Sequence, residues 1–224
     1  MSEFSFYPFR KLRMYFAWIF VLVLVIFAKS TDRGFWIGLP VIALGESIRI
    51  WSHGYIQKIR QLATEGPYAY VRNPLYVGNF LIGLGFCIIL WNPFLVAAFV
   101  TGFYLVYWVT VKGEEQRLES KFQKLYKEYL TYVPRFIPRF SPYEKRGNAA
   151  FVFHRLWKHG EHITILAILN LLVLIYLRQL FYQYREPLTQ SNLTLLGLWV
   201  LLSVFLIFAF VFRYFVNREV TEKA

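Results

Sequence analysis

Six long apolar runs, separated by short polar segments, constrain the fold of this chain more than any other feature. The runs cover residues 14–28, 35–51, 75–91, 94–111, 162–181 and 193–215. About 17–25 apolar residues suffice for a helix to cross the hydrocarbon core of a bilayer. The first run is shorter than that, and it reaches across by tilting or with its flanking aromatic residues. We therefore predict an all-α polytopic membrane protein with about six transmembrane helices.

Basic residues are distributed unevenly between the segments that connect these runs. If each run crosses the membrane once, alternate connecting segments lie on the same side. One side then holds 21 of the 25 Lys and Arg, in residues 1–13, 49–72, 112–158 and 213–223. Because cytoplasmic loops carry the excess of Lys and Arg, both termini and both long polar segments are predicted to be cytoplasmic. The basic residues that give the net charge of +12 thus lie mainly on the predicted cytoplasmic side of the membrane. We expect contacts with membrane lipids and no nucleic-acid partner.

An irregular stretch, TEGPYAYVRNPLYVG, covers residues 64–78 and is called the first polar segment below. The Gly66-Pro67 and Asn73-Pro74 pairs interrupt any helix, because proline fixes its own φ and disfavours the helical region for the residue before it. Irregular backbone near membrane depth is tolerated only where it is buried in protein or lines a cavity. We therefore interpret residues 64–78 as one side of a binding site.

The second polar segment is residues 112–138. It carries Glu114 and Glu115 near its start and ends on VPRFIP, residues 133–138. Between them, apolar residues that include Tyr126 and Tyr129 recur at helical spacing, which predicts an amphipathic helix over 114–133 at the cytoplasmic interface. The Asn92-Pro93 pair leaves room only for a tight helical hairpin between runs three and four. Such a hairpin returns the second polar segment to the same membrane face as the first.

These two segments together resemble a known family. Residues 66–78 fit the pattern G-P-Y-x-Y-x-R-[HN]-P-x-Y-x-G, and residues 114–138 agree in order and spacing with the family's second block. The family is that of the isoprenylcysteine carboxyl methyltransferases and phospholipid methyltransferases, and the resemblance covers roughly residues 40–140. It implies an integral membrane enzyme that transfers a methyl group from S-adenosylmethionine to a lipidic or isoprenoid acceptor, at a carboxylate or an amine. Asn73 stands where the family usually has histidine, so a role that needs an imidazole proton is in doubt.

The resemblance, together with the chemistry of the cofactor, implies a set of site residues. S-adenosylmethionine carries a sulfonium, an ammonium and a carboxylate, which call for acidic side chains and for arginines that bind carboxylates in a bidentate manner. We predict catalytic roles for Arg135, Glu115 and Tyr76. The predicted cofactor-binding residues are Arg72, Asn73, Pro74, Tyr76, Gly78, Gly83, Gly85, Glu114, Glu115, Tyr126 and Tyr129. Gly83 and Gly85 are equally explained by helix packing.

Three further features have simpler explanations. Glu46 and Arg49, at i and i+3, are interpreted as an intrahelical ion pair near the cytoplasmic end of the second run. The single cysteine, Cys87, is read as a packing residue. His154, His159 and His162 cluster before the fifth run, but two ligands at a helical turn do not make a metal site, and none is predicted.

The chain divides into three predicted regions. Residues 1–34 form an N-terminal segment with the first span, residues 35–145 a catalytic core, and residues 146–224 an appended two-span region that serves acceptor shape or homodimer contacts. Two alternatives remain open. One is an NADPH-dependent oxidoreductase like the membrane sterol reductases, which share a similar arginine loop, although Leu75 replaces their asparagine. The other is a non-catalytic lipid-binding membrane protein.

Overall fold

The computed structural model describes residues 7–27, 29–56 and 61–222, and within these ranges all regular structure is helical. Seven α-helices are described. In chain order they are α1 (Tyr7–Ile26), α2 (Asp32–Tyr55), α3 (Pro74–Ile89), α4 (Pro93–Tyr132), α5 (His154–His159), α6 (Glu161–Arg178) and α7 (Gln190–Glu222). The predicted all-α class is confirmed. Parts of the predicted cytoplasmic segments, at residues 1–6, 57–60 and 223–224, and the end of the first run at Ala28 lie outside the described residues.

Helices occupy all six predicted apolar runs, but they differ in their capacity to cross a membrane. Three described segments are long and apolar enough by length and composition: Pro93–Tyr132, Glu161–Gln183 and Gln190–Tyr214. The apolar parts of α1 and α3, Leu12–Ile26 and Pro74–Ile89, are shorter. The chain is thus an integral membrane protein by its helices, while the number of six spans stays a prediction.

Glycines bring α2 and α3 into close contact along most of their length. A Cβ atom on Gly38 would lie 2.6 Å from the carbonyl oxygen of Gly85, and one on Gly45 would lie 2.7 Å from that of Gly78. Side chains at these positions would force the two backbones apart, so small residues are required at the contact. This packing fixes the position of the segment between the two helices.

α4 contains both the fourth apolar run and the amphipathic stretch predicted over 114–133. The helix continues through Gly113 and is interrupted only at Gln123, where φ is +41° and ψ is −112°. A single glycine costs a helix only about 1 kcal/mol, so Gly113 alone does not end one. The predicted hairpin before α4 is confirmed, with Asn92 Oδ1 accepting hydrogen bonds from the backbone of Phe94 and Leu95 at 2.9 and 3.3 Å.

The remaining long helices, α1, α6 and α7, pack on different partners. α1 packs its aromatic side chains on α4, with the rings of Phe20 and Phe99 4.6 Å apart. α6 buries Ile175 against the α2–α3 pair. α7 contacts α6, where Asn170 Nδ2 donates to Ser203 Oγ at 2.6 Å. Most of its large apolar side chains are exposed, as on a lipid-facing helix.

Candidate active site

Backbone hydrogen bonds join the two polar segments that the sequence singles out. The amide of Arg72 donates to the carbonyl of Pro134 at 2.9 Å, that of Arg139 to Tyr70 at 3.0 Å and that of Tyr143 to Ala69 at 2.9 Å. These bonds satisfy main-chain groups of two irregular stretches, which would otherwise lack partners when buried. Residues 69–72 and 134–143 therefore form one rigid unit.

Side chains reinforce this unit. Tyr129 Oη donates to the carbonyl of Tyr68 at 2.6 Å, and Asn73 Nδ2 donates to the carbonyl of Arg135 at 3.2 Å. The apolar face of the amphipathic part of α4 thus packs on protein, where Tyr126 and Tyr129 are buried beside Ala69. Asn73 orients the backbone next to Arg135, a role that needs no imidazole.

Glu115 lies between two arginines, one from each polar segment. Arg135 binds it with two hydrogen bonds, from Nε at 2.9 Å and from Nη2 at 2.6 Å. Arg72 Nη1 lies 3.0 Å from Glu115 Oε1. The hydrogen bonds between Arg135 and Glu115 raise the pKa of the Arg135 guanidinium. The Arg135 guanidinium also lies 4.9 Å from the ring centre of Trp108, so its orientation is fixed from two directions.

Glu114 faces a different set of partners, because adjacent helical residues point about 100° apart. Tyr76 Oη donates to Glu114 Oε1 at 2.7 Å, and Arg13 Nη1 lies 3.3 Å from the same oxygen. Arg13 also donates to Tyr76 Oη. With 41% of its side chain exposed, Glu114 is the more accessible of the two carboxylates.

Arg13 is a component of this cluster that the sequence did not single out. It belongs to α1, outside the part of the chain that carries the resemblance. The only signal was its place as the last of three basic residues before the first apolar run. That pattern is typical of residues that bind lipid headgroups, so it did not indicate a site.

The remaining predicted site residues divide into two groups. Pro74 is fully buried and begins α3, and Tyr76 packs on Tyr107 with ring centres 4.9 Å apart. The three glycines lie in helix contacts: Gly78 faces Arg49 and Gly45, Gly83 faces Phe99, and Gly85 faces Ile42. The structure therefore brings the carboxylates, arginines and tyrosines together, while the glycines pack helices and their cofactor role stays a prediction.

Two buried polar atoms at the site have no hydrogen-bond partner among the described residues. Arg72 Nε is buried and meets no hydrogen-bond acceptor within the described part of the chain. The same holds for Tyr68 Oη among the residues described, and burial raises the pKa of that phenol. Unsatisfied donors of this kind are rare in native structures and suit a carboxylate or hydroxyl acceptor of a ligand. Together with the accessible Glu114, they fit the carboxylate and ammonium of S-adenosylmethionine.

A second polar cluster lies one helical turn further along α3. Arg49 Nε and Nη2 donate to the two oxygens of Glu161 at 2.9 and 2.6 Å, and Arg49 also donates to Asn79. His53 Nδ1 lies 2.8 Å from Glu161. The predicted pair of Arg49 with Glu46 exists at 3.5 Å, but the shorter contacts of Arg49 are with α6.

Two of the three clustered histidines stack on other rings. His159 stacks on His53 with ring centres 5.3 Å apart, and His162 stacks on Trp157 at 4.2 Å. Across residues 7–27, 29–56 and 61–222, no three His, Cys, Asp or Glu side chains are arranged to hold a metal ion.

Residues 34–125 match the family model described as phospholipid methyltransferase. This match confirms the resemblance inferred from the two polar segments, both of which it reaches. It includes nearly all of α2, the whole of α3 and most of α4, and it stops before Arg135 and the last two long helices.

Three relatives are similar over parts of the chain. The cobalt-zinc-cadmium resistance protein CzcN of Cupriavidus metallidurans is 33% identical over 144 residues, which are 60% of this chain and 65% of that protein. The nickel-cobalt-cadmium resistance protein NccN of Alcaligenes xylosoxydans xylosoxydans is 27% identical over 150 residues, 61% of this chain and 69% of that protein. The protein-S-isoprenylcysteine O-methyltransferase of Tribolium castaneum is 35% identical over 83 residues, 37% of this chain and 30% of that enzyme. The chain thus spans less than two thirds of the first of these proteins and under a third of the last.

Proposed function

From the match of residues 34–125 to the phospholipid methyltransferase family, we propose that this chain is a membrane methyltransferase that uses S-adenosylmethionine and a lipidic or isoprenoid acceptor. The observation that carries the proposal is the meeting of Glu115 with Arg72 and Arg135, one arginine from each polar segment, beside a second carboxylate, Glu114, that pairs with Arg13. The family match favours this activity over the reductase alternative. A non-catalytic lipid-binding protein remains the rival that experiment must exclude.

The described side chains suggest a division of labour for holding the cofactor. Arg72 would bind its carboxylate through the unpaired Nε, and Glu114 would accept hydrogen bonds from its ammonium. Glu115 neutralises and orients Arg72 and Arg135. When bound, S-adenosylmethionine supplies a methyl group on a positively charged sulfur, ready for displacement by a nucleophile.

Methyl transfer needs an in-line arrangement of acceptor and methyl group in a site that excludes water, so positioning supplies most of the rate. A carboxylate acceptor would be oriented by Arg135 and would require no base. An amine acceptor must lose a proton. Glu115 is a poor base because both its oxygens are engaged by guanidinium groups, and Glu114 is already paired with Arg13 and assigned to the cofactor's ammonium. The arrangement therefore favours a carboxylate acceptor.

The acceptor would reach the site from the bilayer. The Lys and Arg distribution supports a cytoplasmic position for the site and for both termini. Glu114 and Glu115 follow directly after the apolar part of α4, near the level of lipid headgroups. An amphiphile in the inner leaflet would place its polar end at this level and keep its apolar chains in the membrane.

The test uses the full-length protein in nanodiscs with radiolabelled S-adenosylmethionine and extracted membrane lipids as acceptors. We expect label to enter the lipid fraction, and we expect this transfer to be lost in Arg135→Ala, with Arg139→Ala as a matched control in the same loop. Saturable NADPH binding without methyl transfer would support the reductase, and neither activity in protein that binds lipid would support the non-catalytic alternative.

A role in resistance to transition-metal cations is a second, compatible candidate, because two relatives are named for such resistance and one of them is 33% identical over 144 residues. Such a role would act through a modified lipid or other membrane component, in keeping with the match to the phospholipid methyltransferase family. Deletion of the coding sequence should then lower tolerance to cobalt, zinc or cadmium. Restoring wild-type protein but not Arg135→Ala should recover it, and equal recovery by both would separate the role from the proposed activity.

A further inference from the structure

The loop that follows α4, residues 133–143, carries two large apolar side chains that the protein does not cover. Ile137 is 81% exposed and Phe140 is fully exposed. Single exposed apolar residues are common on proteins, but two on one short loop beside a polar site need an explanation.

This loop is held in place on both sides of the exposed residues. The backbone bonds from Arg72 to Pro134, from Arg139 to Tyr70 and from Tyr143 to Ala69 fix it to the first polar segment. Pro134, Pro138 and Pro142 further restrict its backbone. Ile137 and Phe140 therefore cannot turn inward to bury themselves without breaking these bonds.

The depth of the loop follows from its contacts with α4. The guanidinium of Arg135 lies over Trp108, and Phe136 packs against the cluster that contains Tyr107 and Val111. Trp108 precedes Lys112, the first charged residue after the apolar run, by four positions, or about 6 Å along the helix. Side chains on a helix lean toward its N-terminus, which here is deeper in the membrane. The loop thus folds back along α4 to the level at which tryptophan and tyrosine belong to the interfacial belt.

From these contacts we propose that residues 134–140 re-enter the edge of the bilayer, with Ile137 and Phe140 inserted among the lipid acyl chains. The partner of this surface is the lipid monolayer itself. Within the loop, the carbonyls of Pro134 and Arg135 and the amide of Arg139 are paired with residues 70–73, so re-entry to the interfacial level leaves these groups satisfied. One consequence is that Arg135, two residues from Ile137, faces the bilayer boundary and not open water.

The test measures the depth of single labelled positions in nanodiscs. Cys87 is the only cysteine, and it is buried in α3, so Cys87→Ala provides a background for single-cysteine variants. Ile137→Cys and Phe140→Cys would each be labelled with an environment-sensitive fluorophore. Ser120→Cys, exposed on the charged part of α4, is the matched control. Retention of the wild-type thermal unfolding curve shows that each variant is folded.

We expect labels at 137 and 140 to emit at shorter wavelength than the label at 120, with strong quenching by lipids that carry a spin label on the acyl chain and weak quenching by aqueous iodide. Equal iodide quenching at 137 and 120 would overturn the proposal. A short-wavelength emission that lipid-borne quenchers do not reach would also overturn it, and would indicate a protein partner on this surface. The measurement does not require methyl transfer, so it stands or fails separately from the proposed activity.

Discussion

Arg49 of α2 binds Glu161, the first residue of α6, through two hydrogen bonds of 2.9 and 2.6 Å. Only 11% of the Arg49 side chain and 2% of the Glu161 side chain are exposed. This pair joins a helix inside the family-matched region to a helix outside it. The predicted division at residue 146 is untested, but the C-terminal helices are attached to the core through a buried ion pair.

Removal of one member of this pair should destabilise the protein strongly. A buried charge left without its partner typically costs about 3–5 kcal/mol. We expect Glu161→Ala to lower the midpoint of thermal unfolding in detergent markedly. Glu119→Ala, whose ion pair with Lys127 is exposed and 3.6 Å long, should change it little. Equal effects of the two substitutions would show that the Arg49–Glu161 pair does not hold α6 to the core.

Glu114→Gln tests the proposed ammonium contact. Tyr76 can still donate to the amide oxygen, so the local packing should persist, while the negative charge that a cofactor ammonium needs is lost. Hydrogen bonds to charged groups contribute about 1.5–3 kcal/mol, which corresponds to at least tenfold weaker binding of S-adenosylmethionine. Calorimetry on purified protein measures this, with Glu119→Gln as the control. Unchanged affinity in Glu114→Gln would move the ammonium site elsewhere.

Arg135→Lys separates charge from geometry. Lysine keeps the positive charge but has no planar fork to bind both oxygens of Glu115 while lying over Trp108. Loss of one charge-assisted hydrogen bond predicts a fall in methyl-transfer rate of about 10- to 100-fold. The rate is measured in nanodiscs at saturating cofactor. A wild-type rate in Arg135→Lys would mean that the site needs only a positive charge at this position.

Tyr68→Phe should make the protein more stable. Because Tyr68 Oη is buried with no partner among the described residues, its removal should raise the free energy of unfolding by about 1 kcal/mol. Burial raises the pKa of this phenol, so the folded state favours its neutral form. The resulting stability is present below the ordinary tyrosine pKa of 10.0 and is lost as the pH rises above it.

The measurement for Tyr68 is thermal unfolding from pH 8 upward. The wild-type protein should lose stability above about pH 10 more steeply than Tyr68→Phe. Tyr129→Phe is the matched control, since Tyr129 Oη donates to a carbonyl and its loss should be destabilising. A destabilised Tyr68→Phe would indicate a hydrogen bond to Tyr68 Oη and would remove it as a candidate ligand donor.

The class of fold and the meeting of the two polar segments could be predicted from the sequence. Apolar run length indicates where helices form, and the proline pairs indicate where they stop, and both signals lie within a few residues of the feature they predict. The hairpin at Asn92-Pro93 then dictated which segments share a membrane face. Nothing in the sequence indicates that the fourth apolar run and the amphipathic stretch form one helix, and the interruption at Gln123 has no sequence signal. Arg13 and Glu161 were missed as partners because each lies far along the chain from the residue it binds. Only the packing of α1 on α4 and of α6 on α2 brings them close.

The central claim is that residues 64–78 and 112–138 form one cofactor site, and a double-mutant cycle on Arg72 and Glu115 tests it most directly. Binding of S-adenosylmethionine would be measured by calorimetry for the wild type, Arg72→Gln, Glu115→Gln and the double variant. We predict saturable binding to the wild type, weaker binding to each single variant and a coupling energy of at least about 1 kcal/mol between them. No binding to the wild type, or wild-type affinity in both single variants, would contradict the account.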